Sequence, residues 1–236
     1  MKTFAEERQR MVEKQIASRG VVDRRVLDAM RAVPREAFVS ASAVEFAYED
    51  RPLAIEEGQT ISQPYVVALM AAALQLTPRD RVLEIGAGSG YAAAVLSRVA
   101  AEVYAIERHA ALAELARGRM RELGYHNVHI LHGDGTLGCA AHAPYDAIVV
   151  AAGGPSIPEA LRTQLVIGGR LVIPVGATPQ EQELVRVTRT GENDFEQEGL
   201  GDVRFVPLIG VQGWDDPASP PEAVAPGASD TDPFGA

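Results

Sequence analysis

Arg81-Val82-Leu83-Glu84-Ile85-Gly86-Ala87-Gly88-Ser89-Gly90, followed at once by Tyr91-Ala92-Ala93-Ala94-Val95-Leu96, decides the fold of this chain. Val82, Leu83 and Ile85 make the short apolar run of a strand buried on both faces of a parallel sheet. Glycines at 86, 88 and 90 then let the backbone turn tightly and approach a ligand, because no Cβ intervenes. The segment that follows reads as a helix, and the free N–H groups of its first turn attract electron-rich groups. Strand, glycine loop and helix together predict a nucleotide-like ligand.

The spacing discriminates between ligands. A dinucleotide fingerprint reads G-x-G-x-x-G, whereas here the pattern is G-x-G-x-G and Tyr91 stands where the third fingerprint glycine would fall. That demotes a dehydrogenase. Glu84, an acid just before the first glycine, is the pattern of S-adenosylmethionine, which has no phosphate but carries a cationic amino group and a sulfonium. An ordinary strand-to-helix turn with incidental glycines is the alternative, so further positions must decide.

Working outward, Glu102-Val103-Tyr104-Ala105-Ile106-Glu107 is a second strand ending in an acid, seventeen positions beyond Gly90. A carboxylate there can accept both hydroxyls of a ribose. A helix over 110–123 closes at Gly124, a third strand runs from Val128 to Leu131, and His132-Gly133-Asp134-Gly135 follows, with an acid placed to accept from an adenine amino group. Glu107 could instead cap the next helix, and Asp134-Gly135 could be only a tight turn. Three acids on successive strand ends are nevertheless what a shared crevice requires.

Further strands are expected at 145–151 and 169–175, with a helix over 157–166 between them opened by Pro158. Strands at 183–190 and 203–208, joined by a polar segment without a helix, suggest an antiparallel edge hairpin. Upstream, Met11, Val12 and Ile16 mark one amphipathic helix ending at Gly20, and Asp23 caps a second that Pro34 stops. The predicted architecture is α/β: a Rossmann-like, doubly wound, mostly parallel seven-stranded sheet with helices on both faces, an antiparallel C-terminal edge and an N-terminal helical extension. Residues 1–76 form that extension, 77–214 the core with its hairpin, and 215–236 a tail.

The 236 residues, 47% hydrophobic, suffice for one full core. The start of the chain turns charged at once and no apolar run spans a bilayer, so a cytoplasmic protein without a membrane partner is expected. The single cysteine, Cys139, excludes an internal disulfide and reads as a small buried hydrophobe. Half of the net charge of −10 lies beyond residue 214, where five acids and five prolines occur with no basic residue, the signature of a disordered extension. In the body the arginines are scattered rather than grouped with aromatics, which argues against a nucleic-acid partner.

The methyl acceptor is narrowed by exclusion. After the fourth strand stands Ala151-Ala152-Gly153-Gly154-Pro155-Ser156 rather than the acid or asparagine with Pro-Pro-aromatic of base-amino methylation. Cys139 follows Gly138 and not the proline usual before a cytosine-attacking nucleophile. His126, His129 and His132 lack metal-ligand geometry, since 129 and 132 point to opposite faces of a strand. No metal is expected.

The informative segment is Gly58-Gln59-Thr60-Ile61-Ser62-Gln63-Pro64-Tyr65, ahead of a helix over 66–76. With Glu84 to Gly90, Gly133-Asp134-Gly135 and Pro144-Tyr145-Asp146-Ala147-Ile148, it closely resembles protein-L-isoaspartate O-methyltransferases. So do Met11 to Ile16, Val33-Pro34-Arg35-Glu36-Ala37-Phe38-Val39, and Arg204-Phe205-Val206-Pro207-Leu208. The resemblance covers about residues 8 to 214, and the acidic tail has no counterpart in it. It implies methyl transfer from S-adenosylmethionine, leaving S-adenosylhomocysteine, to the free carboxylate of isoaspartyl residues in damaged peptides and proteins. The ester then collapses to a succinimide that reopens partly as aspartate. It further implies Ser62 as the active-site serine. Thr60, Ile61, Ser62, Glu84, Gly86, Ala87, Gly88, Glu107, Arg108, Asp134 and Gly135 would bind cofactor. Thr60 to Pro64 with Val206, Pro207 and Leu208 would bind substrate, and a monomer is expected. On sequence pattern alone, Ser62 serves equally as the N-cap of the helix after it.

Overall fold

A computed structural model describes residues 3–216; residues 1–2, and the tail from 217 on that was expected to be disordered, lie outside the described residues. The chain opens with α1 (Phe4–Met11), held by a reciprocal cap: Glu6 N–H donates to Thr3 Oγ1, and Thr3 N–H to the Glu6 carboxylate. It continues through a π-turn and a 3₁₀ turn to Gly20, whose φ of 95° ends the run. Asp23 caps α2 (Arg24–Ala32) by accepting from Arg25 N–H, and Val26, Leu27 and Met30 are buried, as their spacing predicts. Two 3₁₀ turns (Arg35–Phe38 and Ala41–Phe46) lead to a small antiparallel pair, β1 (Leu53–Ala54) with β2 (Thr60–Ile61). Then comes α3 (Pro64–Ala73), which has proline in its first turn, where the missing N–H costs nothing.

The main body alternates β3 (Arg81–Ile85), α4 (Tyr91–Ser97), β4 (Glu102–Glu107), α5 (Ala110–Leu123), β5 (Val128–His132), β6 (Tyr145–Val150), α6 (Glu159–Thr163) and β7 (Leu165–Thr178), then β8 (Glu181–Arg189) and β9 (Phe195–Val203). The sheet order is β5-β4-β3-β6-β7-β8-β9, with parallel pairing as far as β7 and antiparallel pairing beyond. The order reverses between β3 and β6, so a crevice opens at their carboxyl ends, where such sheets bind ligands. Side chains alternate across the sheet: Val82, Val103 and Val149 pack toward α1 to α5, Leu83, Ile85 and Ile148 toward α6 and the loops beside it. The N-terminal helices share the first of these two cores with the sheet.

Two expected elements differ. The hairpin partner of β8 is Phe195–Val203, not 203–208. β9 is an edge strand, mostly solvent-exposed, so ladder hydrogen bonds sustain it without the apolar alternation that marks a half-buried strand, and its charges suit an open edge. Val206 to Leu208 leave the sheet and close back on Gly153, whose N–H donates to Val206 O at 2.8 Å while Leu208 N–H donates to Gly153 O at 2.8 Å. The helix expected over 157–166 is only Glu159–Thr163, because Leu165 already pairs with Tyr145, and a register shift near Gly168 (φ 85°) carries the strand on.

Candidate active site

The glycine loop hangs from one carbonyl. Ile106 O accepts from Gly86 N–H at 2.8 Å and Ala87 N–H at 3.1 Å, which folds the loop over the end of β4. Gly86, Gly88 and Gly90 have φ of 88°, 51° and 88°, a region open to glycine and strained for other residues. A Cβ at Gly86 would already touch Ala151 on the opposite wall at 3.6 Å.

Glu84 faces the cavity beneath this loop and is 1% exposed. Its Oε2 has no hydrogen-bond partner. Burial, and secondarily the negative charge of Glu107, push its carboxyl well above the usual glutamate range. Glu107, also buried, accepts from Gly88 N–H through Oε2 at 2.8 Å and from His109 N–H through Oε1 at 2.9 Å. It therefore does not cap α5, whose N-cap is His109 without a side-chain cap bond, but it fixes the turn into that helix and the glycine loop together. Each carboxylate oxygen retains a second lone pair for a ligand hydroxyl.

Of the residues expected to hold the cofactor, Thr60, Ile61, Ser62, Glu84, Gly86, Ala87, Gly88, Glu107, Arg108 and Gly135 line one cavity. Gly135 is tight against the floor: a Cβ there would stand 2.3 Å from Ile85 Cγ2. Arg108 also reaches outward to Asp216 at 2.5 Å. Asp134 does not line the cavity. Its carboxylate accepts from Thr136 N–H and Oγ1 and, at 2.9 Å, from Val211 N–H, so it braces the outer wall that Ile209 contributes. Sequence reasoning missed His109, whose Nε2 is buried without a partner on the cavity wall, and Tyr91 and Ala151. Only the position of His109, directly after Glu107-Arg108, hinted at it.

A second cleft adjoins the first, lined by Gln63, Tyr65, Leu69 and the Val203–Val206 segment. Thr60, Ser62, Ala151 and Val206 belong to both walls. Pro207 and Leu208 line only the first, and Pro64 lines neither, being the buried first residue of α3. The floor of the second cleft includes Arg19, which lies 3.5 Å over the Tyr65 ring and pairs with Asp50 at 2.7 Å. Gln182 holds its rim through a doubled amide contact: Phe205 N–H donates to Oε1 at 2.8 Å, and Nε2 donates to Phe205 O at 3.1 Å. Ser62 does not cap α3. The N-cap is Gln63, without a side-chain bond, and the Ser62 carbonyl accepts from Arg35 Nη2 at 2.8 Å. Of the three histidines read as having no metal role, His129 stacks on Tyr104 and His132 Nε2 lies against Arg108 O. Cys139 is half-buried rather than sealed in a core.

A family model described as protein-L-isoaspartate(D-aspartate) O-methyltransferase matches residues 6–213. The chain belongs to this family. A protein-L-isoaspartate O-methyltransferase of Rhodopseudomonas palustris is 62% identical over 207 residues, 88% of this chain and 95% of its own length. One from Protochlamydia amoebophila is 58% identical over 204 residues, covering 86% and 97%. Among solved structures, a protein-L-isoaspartate O-methyltransferase superposes with a TM-score of 0.79 at 32% identity, covering 89% of this chain and 67% of the other. A Plasmodium falciparum chain described as the same enzyme, in complex with S-adenosyl-L-homocysteine, superposes at 0.73 with 26% identity, covering 86% and 98%. The family match spans both clefts and stops short of the acidic tail.

Proposed function

We propose that the cavity under the glycine loop is the S-adenosylmethionine site, that the adjoining cleft holds an isoaspartyl peptide, and that Ser62 stands at their junction. The chain is an S-adenosylmethionine-dependent protein carboxyl methyltransferase acting on L-isoaspartyl residues. The observation that carries the arrangement is the wall shared by the two clefts, Thr60, Ser62, Ala151 and Val206, because methyl transfer needs donor and acceptor to meet through one opening.

The residues present fit the cofactor. A buried acid with an orphaned oxygen, Glu84, calls for a cation such as its amino group. Glu107 suits paired hydroxyls, Gly86 and Gly88 bring backbone close, and Gly135 lines the same cavity packed against Ile85. His109 Nε2 offers one further polar contact. When bound, S-adenosylmethionine supplies a methyl group on a sulfonium, already an electrophile with a good leaving group. The chain's part is placement. The acceptor carboxylate is ionised at neutral pH (ordinary pKa about 4), so no general base is needed, and orienting it can contribute about 7 kcal/mol or more. Ser62 donates a hydrogen bond that holds one acceptor oxygen and need not act as a nucleophile. The apolar Val206 to Leu208 wall excludes water from the reacting centre. Asp134 acts at one remove, bracing the wall beside Gly135.

The substrates are isoaspartyl-containing proteins. Among the described residues no helix is long and apolar enough to cross a membrane. A monomer in the cytoplasm, without nucleic acid or membrane as partner, is the setting we infer, since one chain supplies both clefts. Following an isoaspartyl peptide by mass spectrometry during turnover tests the reading: methyl ester, then succinimide, then aspartyl peptide should appear in that order. Cofactor bound with no ester formed on any isoaspartyl peptide would refute it.

A further inference from the structure

Arg35 is fully buried, at 0% exposure, in the 3₁₀ turn after α2. Its donors meet carbonyls rather than a carboxylate: Nε donates to Ala47 O at 2.8 Å and Nη2 to Ser62 O at 2.8 Å. Nη1 is buried without a partner, and the guanidinium lies 4.7 Å over the ring of Tyr91, itself on the cofactor cavity. Burying a cation with no carboxylate in hydrogen-bond reach is unfavourable, and burial accordingly lowers the Arg35 pKa, opposed by Tyr91 and more weakly by Tyr48 and Asp50, while arginine stays charged at neutral pH. A neutral side chain would fill this space at lower cost. This charge, met by carbonyls and only at longer range by Asp50, sits instead directly behind Ser62, where the two clefts meet and where an anionic acceptor must come.

We propose that Arg35 is a positioning residue for the acceptor carboxylate: it turns the Ser62 carbonyl inward and sets a buried positive charge behind the acceptor's binding point. A trans peptide directs its N–H opposite to its C=O. Drawing Ser62 O into the interior thus turns the Gln63 N–H away from it, and the charge-assisted bond polarises that peptide as a donor. Methyl transfer consumes the acceptor's negative charge, so a fixed cation favours the bound ionised acceptor at least as much as the transition state. Its removal therefore shows mainly in KM. The inference rests on the proposed acceptor site and extends it to a residue that touches neither cleft.

The test uses the full chain with Arg35→Met, which keeps bulk without charge, and Arg35→Lys, which keeps charge without the two-armed fork. Steady-state kinetics on an isoaspartyl peptide are read beside calorimetric binding of S-adenosylhomocysteine. For Arg35→Met we expect the peptide KM to rise about tenfold or more, with kcat and S-adenosylhomocysteine affinity changing less than about threefold, and an intermediate KM for Arg35→Lys. An unchanged peptide KM would overturn the proposal, as would equal losses in peptide and cofactor binding, or failure of both variants to fold, each of which marks a mere scaffold residue. A wild-type protein silent on the peptide would instead sink the acceptor site itself. An active wild type with an indifferent Arg35→Met sinks only the role of Arg35.

Discussion

Replacing Glu84 by glutamine should make the ligand-free protein more stable and the cofactor site worse. In the folded chain Glu84 is 1% exposed, its Oε2 has no partner, and Glu107 adds negative charge. An orphaned buried acceptor costs about 1–3 kcal/mol. Between pH 4.5 and the raised pKa the folded protein also keeps a proton that the unfolded chain has released, and each pH unit over which it does so costs about 1.4 kcal/mol. The amide has the same shape and leaves a buried polar group of its own, but it has nothing to ionise, so above pH 4.5 the variant should gain up to about 1.4 kcal/mol per pH unit until the raised pKa is passed, or several degrees in Tm for a domain of this size. Because the native pKa is raised, stability is favoured at low pH and lost as pH rises from the ordinary value of 4.5 through the raised one. The advantage of the amide must therefore vanish below 4.5, where both states hold the proton. Losing a charge-assisted bond to the ammonium should weaken S-adenosylhomocysteine binding by about 10- to 150-fold. Thermal unfolding across pH and calorimetry on the same samples check both halves. A lower Tm at neutral pH, or unchanged affinity, would refute the reasoning.

Other outcomes follow from the same geometry. Ser62→Ala should lower kcat/KM on an isoaspartyl peptide about 10- to 100-fold with cofactor affinity almost intact, and equal losses in both would speak against its place at the junction. Glu107→Ala frees the N–H groups of Gly88 and His109 and removes the acceptor for the ribose hydroxyls, so calorimetry should show affinity down at least about tenfold. Cofactor binding should release a proton from Glu84 and weaken as pH falls toward 4.5, visible as a binding enthalpy that changes with the buffer's ionisation enthalpy. An enthalpy independent of buffer would contradict it.

The inner parallel strands were legible because they are buried on both faces, and burial imposes the apolar runs that a sequence displays, as in Val82 to Ile85 and Tyr145 to Val150. The helix over Ala110–Leu123 was equally plain, since its stripe is buried and Gly124, at φ 76°, closes it. β9 was hidden because an edge strand satisfies its backbone without burying side chains, so Glu196 to Glu198 look like a loop. In the site, types and spacing led to Glu84, Glu107 and the glycines. The direction of a side chain is not encoded that way: Asp134 turns toward Thr136 and Val211, and Ser62 leaves the cap position to Gln63. Arg35 is invisible as a site residue for the same reason, since its contact with Ser62 crosses 27 positions of sequence.

The central claim, that two clefts joined at Ser62 carry a methyl group from S-adenosylmethionine to an isoaspartyl carboxylate, is tested most directly with paired peptides of one sequence, one linked through isoaspartate and one through aspartate. With methyl-labelled S-adenosylmethionine, the isoaspartyl peptide should acquire base-labile label while its twin remains unlabelled. Equal labelling of the two, or label on neither, would contradict it.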